Sequence, residues 1–111
     1  MPKLKYGSYS RYARDTVVLL GLLIKNKRIE RQLTITEVAE RAGISRGLVH
    51  RIESGNMKSS IGAAFEVASI VGLTLFDAQP LALSSHLSLE REKLVLLKST
   101  RKKSGKVMDN F

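Results

Sequence analysis

The chain is short of the residue types that stabilise secreted or membrane proteins. Its 111 residues contain no cysteine or tryptophan, two prolines, three tyrosines and three phenylalanines. Without cysteine it forms no disulfide and offers no thiolate to a metal, a composition that suits the reducing cytoplasm. Its longest apolar run, residues 17–24, is far shorter than the roughly 20 residues needed to cross a bilayer. We therefore expect one compact domain with short extensions, located in the cytoplasm, with no membrane role.

Residues that could carry catalysis are also scarce. The only histidines, His50 and His86, are far apart in sequence and have no recognisable partner motif. Nucleophilic and acid–base catalysis require a base close to its target and oriented by a third group. The sequence also lacks a Gly-x-x-x-x-Gly-Lys phosphate loop and a His-Glu-x-x-His helix. We predict no enzyme activity, no cofactor and no bound metal.

Positive charge is concentrated at the two ends of the chain. The formal net charge is +9, and residues 1–33 hold eight bases and two acids, residues 34–79 four bases and five acids, and residues 80–111 seven bases and three acids. Basic flanks around a near-neutral centre suit a polyanion, because each neutralised phosphate releases condensed counterions. For Lys25, Lys27, Arg28 and Arg31, an ordinary solvated face is an equally open interpretation.

Residues 34–55 contain the start and stop signals of two short helices. Thr34 and Glu37 have the spacing of a capping box, and Gly43 suits the left-handed residue that ends a helix. Ser45 is the expected N-cap of the next helix, and Gly55 closes it. This pattern predicts a helix-turn-helix, which favours DNA binding and association with the nucleoid. Two helices of an unrelated bundle remain the alternative.

The second of these helices is predicted to have a core side and a DNA side. Val49 and Ile52 face the core, while the outward positions are Arg46, Gly47, His50 and Arg51. An arginine fork can bond guanine O6 and N7 together, so both arginines are candidate base contacts. Gly47 allows close approach of the backbone, and His50 contacts a base or phosphate unless it only faces solvent. Thr34 and Ser45 begin helices whose free amides favour phosphate.

The remaining segments are assigned from their composition. We predict an N-terminal arm (1–14), a DNA-binding domain (15–78), a C-terminal helical extension (79–98) and a basic flexible tail (99–111). The first helix is expected from about Asp15 to Gln32, with one side on the core and the rest against the C-terminal segment or another chain. A fourth helix, capped by Ser59 or Ser60 and ending at Val71, has a predicted buried stripe: Ile61, Ala64, Phe65, Ala68 and Val71.

A short strand is predicted near residues 73–77. Because a lone strand leaves backbone groups unpaired, the same strand of a twofold-related copy is the simplest partner, which predicts a homodimer. Pro80 is expected to break the chain, and residues 84–98 are expected to be helical with Leu87, Leu94 and Leu97 roughly aligned.

Residues 16–75 resemble the Cro and lambda-repressor type of helix-turn-helix domain. The likeness rests on Leu20 and Gly21, residues 24–28, Leu33 and Thr34, residues 60–62, residues 65–68 and residues 71–73. It implies an all-α fold whose domain has five helices. The strand near residues 73–77 and the C-terminal helix are expected in addition to that domain. It also implies that Lys58 meets the edge of the DNA groove and that Glu53 has a structural role.

A closer resemblance is to HipB-type antitoxins, small repressors encoded beside a HipA-type serine/threonine kinase toxin. It rests on Ile61 and Gly62, residues 65–68, residues 75–77, residues 94–97 and residues 107–111. The last segment is Val-Met-Asp-Asn-Phe, which departs at two positions from the Val-Asp-Asp-Asp-Phe of the pattern. The resemblance implies an antitoxin that binds a palindromic operator as a homodimer and represses its own operon. The alternatives are a stand-alone phage-type or restriction-modification control repressor, and a kinase-inhibiting protein for which DNA binding is secondary.

Overall fold

A computed structural model describes residues 8–76 and 79–104, with side chains to residue 100. These residues form five α-helices and no β-strand, which confirms the all-α class. The helices are α1 (Arg11–Glu30), α2 (Ile35–Ala42), α3 (Arg46–Glu53), α4 (Ile61–Ile70) and α5 (Pro80–Ser104). The described residues up to Leu75 form one compact unit, and those from Phe76 onward form a second. Parts of the predicted arm and tail, residues 1–7 and 105–111, lie outside the described residues.

Helix α1 begins earlier than the sequence suggested. The Ser10 hydroxyl accepts a hydrogen bond from the amide of Ala13 at 3.0 Å, so Ser10 rather than Asp15 is the N-cap. Gly21 and Ile24 are its buried residues, which confirms that one side of α1 packs on the core. Four other apolar residues in this region are exposed: Val18, Leu19, Leu22 and Leu23. That the C-terminal segment or another chain covers this second side stays a prediction.

Helices α2 and α3 begin and end where their local signals predict. Thr34 and Glu37 form a complete capping box, with the Glu37 amide 3.0 Å from Thr34 Oγ1 and the Thr34 amide 2.8 Å from Glu37 Oε1. Gly43 ends α2 at a φ of 70°, in the left-handed region. Ser45 caps α3 by accepting from the amide of Leu48 at 3.1 Å. The two short helices are therefore specified by hydrogen bonds within a few residues of chain.

The core of the first unit is small and aliphatic. Its buried hydrophobic residues come from the four helices of this unit, α1–α4, and from the residue that follows α4: Ile24, Val38, Ala39, Val49, Ile52, Ala64, Val67, Ala68 and Val71. An eight-residue helix is not stable alone in water, so burial of Val49 and Ile52 is what holds α3 in place.

The predicted stripe of α4 is wrong at two positions. Ser60 caps the helix as expected, but Ile61 is 75% exposed and Phe65 is 39% exposed. The buried positions are Ala64, Val67, Ala68 and Val71, so the packed face is rotated towards Val67. Ile61 and Phe65 instead line an open groove beside Val17 of α1.

The predicted strand near residues 73–77 does not form in the described part of that segment. Residues 73–76 lack regular structure, and Asp77 lies outside the described residues. Leu73 donates its amide to Ala68 O at 2.8 Å and packs, with Leu75, against the core. The described residues of the chain offer no neighbouring strand, and extended backbone needs one. Pairing across a dimer stays a prediction.

Pro80 starts a helix instead of breaking the chain. Its missing N–H and fixed φ suit the first position of a helix, where no intrahelical partner is needed. No glycine or proline follows until Gly105, so α5 continues to Ser104, beyond the predicted end at Lys98. The first part of the predicted flexible tail is therefore helical.

Candidate nucleic-acid interface

The outer face of α3 carries the predicted base-contacting residues. Arg46, Gly47, His50 and Arg51 are all exposed, on the side opposite the buried Val49 and Ile52. Within the part of the chain that the structure describes, neither arginine is held in an ion pair. Both guanidinium groups are therefore available to an external acceptor, and an arginine offers five N–H donors.

Gly47 leaves open space in the first turn of α3. A Cβ at this position would lie 3.4 Å from Arg51 Nη1 and 3.9 Å from Ser45 Oγ, which are ordinary contact distances. No contact among the described residues therefore requires a glycine here, although glycine costs about 1 kcal/mol relative to alanine inside a helix. The Arg51 side chain lies back along α3 towards this gap, so the structure brings Arg51, Gly47 and Ser45 together.

Two helix starts flank this face and could receive phosphate. Thr34 and Ser45 are exposed N-caps whose oxygens accept from the amides of Glu37 and Leu48. The hydroxyl of each cap also carries a donor hydrogen. The amides of the first helical residues and the helix dipole favour an anion at both places.

Lys58 lies in the loop between α3 and α4. The loop turns at Gly55, which has a φ of 78°, and the Lys58 amide donates to Asn56 Oδ1 at 2.7 Å. This side-chain hydrogen bond fixes the backbone of the turn next to Lys58. The Lys58 side chain is exposed, as a phosphate contact would require.

A buried ion pair fixes the end of α3 to α1. Arg28 Nε donates to Glu53 Oε2 at 2.7 Å, and the Arg28 Nη2 donates to Oε1 at 3.1 Å. Arg28 Nη1 also donates to the carbonyl oxygen of Leu33 at 2.9 Å. The two side chains are 11% and 4% exposed, so one guanidinium joins α1, the segment before α2 and the end of α3 out of water.

This ion pair settles two questions that the sequence left open. Glu53 has the structural role implied by the resemblance, whereas Arg28 is neither a solvated charge nor a phosphate ligand. The pairing of Arg28 with Glu53 could not be predicted from local sequence patterns, because the two residues are 25 positions apart. The available signal was a glutamate on the apolar side of α3, since a carboxylate is rarely buried without a partner.

Gly21 allows α1 to cross close to the end of α3. A Cβ at Gly21 would lie 2.5 Å from the carbonyl oxygen of Ile52 and 2.6 Å from that of Glu53. Both approaches are to backbone atoms, which cannot rotate away. Gly21 and the Arg28–Glu53 pair therefore hold the same end of α3 against α1 and define the direction in which its outer face points.

The capping box also perturbs one titration. The hydrogen bond from the Thr34 amide, more than any other contact, holds the pKa of Glu37 below its ordinary value of 4.5, with smaller help from the Thr34 hydroxyl and the charge of Arg41. Partial desolvation opposes this effect. Glu37 is therefore ionised at neutral pH and completes the cap of α2.

Across residues 8–76 and 79–104, no group of three His, Asp or Glu side chains is close enough to hold a metal ion. None of the described helices combines the length and apolar character that crossing a bilayer requires.

Comparison with known protein families agrees with this geometry. The family model for the helix-turn-helix matches residues 24–77, which span α2, α3 and α4. These residues form a helix-turn-helix domain of the Cro and lambda-repressor type, the DNA-binding domain of sequence-specific transcription regulators. Proteins with this domain are generally not enzymes. No curated protein and no solved structure matches the chain.

Proposed function

We propose that the chain is a transcriptional repressor that binds a palindromic operator as a homodimer. The observation that carries this proposal is the outer face of α3, where Arg46 and Arg51 are exposed while Glu53 and the apolar residues behind them are buried. A short helix anchored on one side and basic on the other is suited to enter the major groove.

Arg46 and Arg51 are the proposed base contacts. Each guanidinium can bond the O6 and N7 atoms of guanine together, which contributes about 1–3 kcal/mol of discrimination per pair. Gly47 lets the α3 backbone approach the groove edge, and His50, one turn further along, contacts a base or phosphate.

Thr34, Ser45 and Lys58 are the proposed phosphate contacts. The two capping hydroxyls lie at helix N-termini, and Lys58 lies in the loop that follows α3. Such contacts fix the position of the domain on the duplex without reading sequence. Arg28 contributes to DNA binding indirectly, because its pairing with Glu53 sets the orientation of α3.

The operator itself tests this proposal. Two copies should bind a twofold-symmetric site with half-sites about 34–36 Å apart. We expect fluorescence anisotropy to show much tighter binding to DNA from upstream of the chain's own gene than to a shuffled duplex of equal composition. Sedimentation should give two copies per duplex. Equal affinity for both duplexes throughout a salt titration would contradict the proposal.

We further propose that this repressor is the antitoxin of a HipA-like kinase and represses the operon that encodes both. Support comes from the sequence resemblance, which extends beyond the helix-turn-helix to residues 94–97 and 107–111. A stand-alone repressor does not need the 25-residue helix α5.

The neighbouring gene tests the antitoxin role. If it encodes a kinase of this class, its expression alone should arrest growth, and co-expression of this chain should restore growth. The two proteins should also co-purify. A neighbouring kinase that stays toxic and unbound in the presence of the folded chain would contradict the antitoxin role and leave the repressor role intact.

One observation favours a second candidate, in which protein binding is primary and DNA binding secondary. The outer side of α1 exposes four aliphatic residues to a partner: Val18, Leu19, Leu22 and Leu23. Exposed apolar groups that lie together are typical of interaction surfaces. Replacement of Leu19 and Leu23 with lysine tests this candidate, because loss of kinase binding with unchanged operator affinity would favour it.

A further inference from the structure

A groove runs between α1 and one flank of α3. Val18, Leu22 and Lys25 line it on the α1 side, at intervals of four and three residues that place them on one face of the helix. His50 and the end of α3 line the other side, and Ile35, the first residue of α2, also borders the groove. The groove therefore connects α1 with the two helices for which DNA contacts are proposed.

We propose that the sugar–phosphate backbone of the operator lies along the basic end of this groove, where Lys25 binds a phosphate and His50 contacts the same strand. This inference rests on the proposed DNA binding and extends the interface from α2 and α3 onto α1. It also assigns His50 to the backbone rather than to a base.

The dimensions of B-DNA place a backbone at this position. A helix with its side chains is about 10–12 Å across, and the major groove is about 12 Å wide. A recognition helix that fills the major groove therefore has a sugar–phosphate backbone beside each of its flanks. His50 lies on the flank of α3 that faces α1, since it borders the same groove as Lys25.

The structure separates Lys25 from the other bases in the second half of α1. Lys27 is in an ion pair within α1, and Arg28 is in the buried ion pair with α3. Arg31 lies against the end of α4, since a Cβ at Gly72 would be 2.5 Å from its Nη2. Within the described part of the chain, Lys25 is exposed and has no ion pair. Its ammonium group is therefore available to an external anion.

The charge of the groove also suits a phosphate. Among the described residues that line it, the only carboxylate is Glu53, which is neutralised by two hydrogen bonds from Arg28 at 2.7 and 3.1 Å. Lys25 therefore gives this surface a net positive charge. The apolar end of the groove is separate, because Val18 packs next to Gly55, beyond the end of α3.

The salt dependence of DNA binding tests the role of Lys25. Each phosphate that a protein cation neutralises contributes about 0.9 to the slope of log affinity against log salt concentration. We expect Lys25→Gln in the full-length chain to reduce the magnitude of this slope by about 0.9 for each bound copy, measured by fluorescence anisotropy. Affinities for the operator and for a shuffled duplex should fall by the same factor, because a phosphate contact reads no sequence. Lys25→Arg keeps the charge and should keep the parent's slope.

Lys27→Gln is the matched control. It removes the same charge two residues away, on another face of α1, where the lysine is already paired with Glu30 at 3.8 Å. Its slope should stay close to that of the parent, and circular dichroism should show that every variant is folded. Equal changes of slope in Lys25→Gln and Lys27→Gln would reduce the effect to the net charge of the chain and overturn the proposal.

His50→Ala distinguishes a backbone contact from a base contact. We expect it to weaken binding to the operator and to the shuffled duplex by the same factor. A loss of affinity confined to the operator would show that His50 reads a base, and would overturn its assignment to the backbone.

Failure of this inference can be told apart from failure of the proposed function. If the parent prefers its operator and Lys25→Gln leaves the slope unchanged, DNA recognition by α3 stands and the extension onto α1 is wrong. If the parent binds both duplexes equally, sequence-specific repression is contradicted. The difference in slope between the two lysine variants then still decides whether α1 contacts phosphate.

Discussion

Removal of the Glu53 carboxylate should destabilise the first unit severely. Glu53→Ala leaves the Arg28 guanidinium, whose side chain is 11% exposed, without its counterion and without two hydrogen bonds of 2.7 and 3.1 Å. Loss of one partner of a buried ion pair costs about 3–5 kcal/mol. The free energy of unfolding of a small domain is about 5–15 kcal/mol in total, so this substitution removes a large part of the stability.

The expected size of the effect can be checked by urea and thermal unfolding followed by circular dichroism. For a domain of this size each kcal/mol lowers Tm by roughly 4–8 °C, so a cost of about 3 kcal/mol corresponds to roughly 12–24 °C. Arg28→Ala should lower the stability by a similar amount, because it leaves the buried carboxylate of Glu53 without a counterion.

The double variant Arg28→Met/Glu53→Leu provides the decisive comparison. It removes both charges while keeping apolar volume at the site, and replacement of both partners of a buried pair is often close to neutral. We expect the double variant to be more stable than either single alanine variant. A Glu53→Ala cost below about 1 kcal/mol, or a double variant as unstable as the summed single losses, would refute the assignment of a buried, mutually dependent pair.

Three further substitutions test other parts of the structure. Gly21→Ala should lower the free energy of unfolding in urea by about 1–3 kcal/mol, because its Cβ would meet two backbone oxygens at 2.5 and 2.6 Å. The control Gly62→Ala, whose Cβ would have its nearest neighbour at 3.8 Å, should not destabilise. Equal effects of the two substitutions would contradict the close crossing of α1 and α3. Glu37→Gln should lower stability at neutral pH, and the difference in stability from the parent should shrink as pH falls below 4.5. The reason is that a carboxylate with a depressed pKa stabilises the fold only while it is ionised. A difference in melting temperature that does not change with pH would argue against the cap. Gly47→Ala should raise stability by about 1 kcal/mol yet weaken operator binding, because its methyl group fits the free protein and obstructs close approach to DNA; unchanged affinity would show that this gap is not used.

The local signals in the sequence predicted the short helices well. The capping box of Thr34 and Glu37, the Ser45 cap and the left-handed Gly43 each depend on residues within four positions, so the sequence alone determines them. Ser10 is a similar signal that was overlooked in favour of Asp15. Pro80 was misassigned because proline ends one helix and begins another with equal ease.

The features that the sequence did not predict depend on distant contacts. The pairing of Arg28 with Glu53 needs the crossing of α1 over α3, which no local pattern contains. The exposure of Ile61 depends on which face of α4 packs on the other helices, and a strand near residue 73 needs a second strand to pair with. The predicted DNA contacts all lie at exposed positions, as their proposed roles require.

The most direct test of the account compares operator preference in the Arg46→Ala/Arg51→Ala variant with that of the parent chain. Affinities for the operator and for a shuffled duplex are measured at one salt concentration, with Arg41→Ala, an exposed arginine of α2, as the control. The double variant should stay folded, since both side chains are exposed, and should bind the two duplexes almost equally. The control should keep the parent's ratio of affinities. A folded double variant that still prefers the operator as strongly as the parent would contradict the claim that this face of α3 recognises DNA sequence.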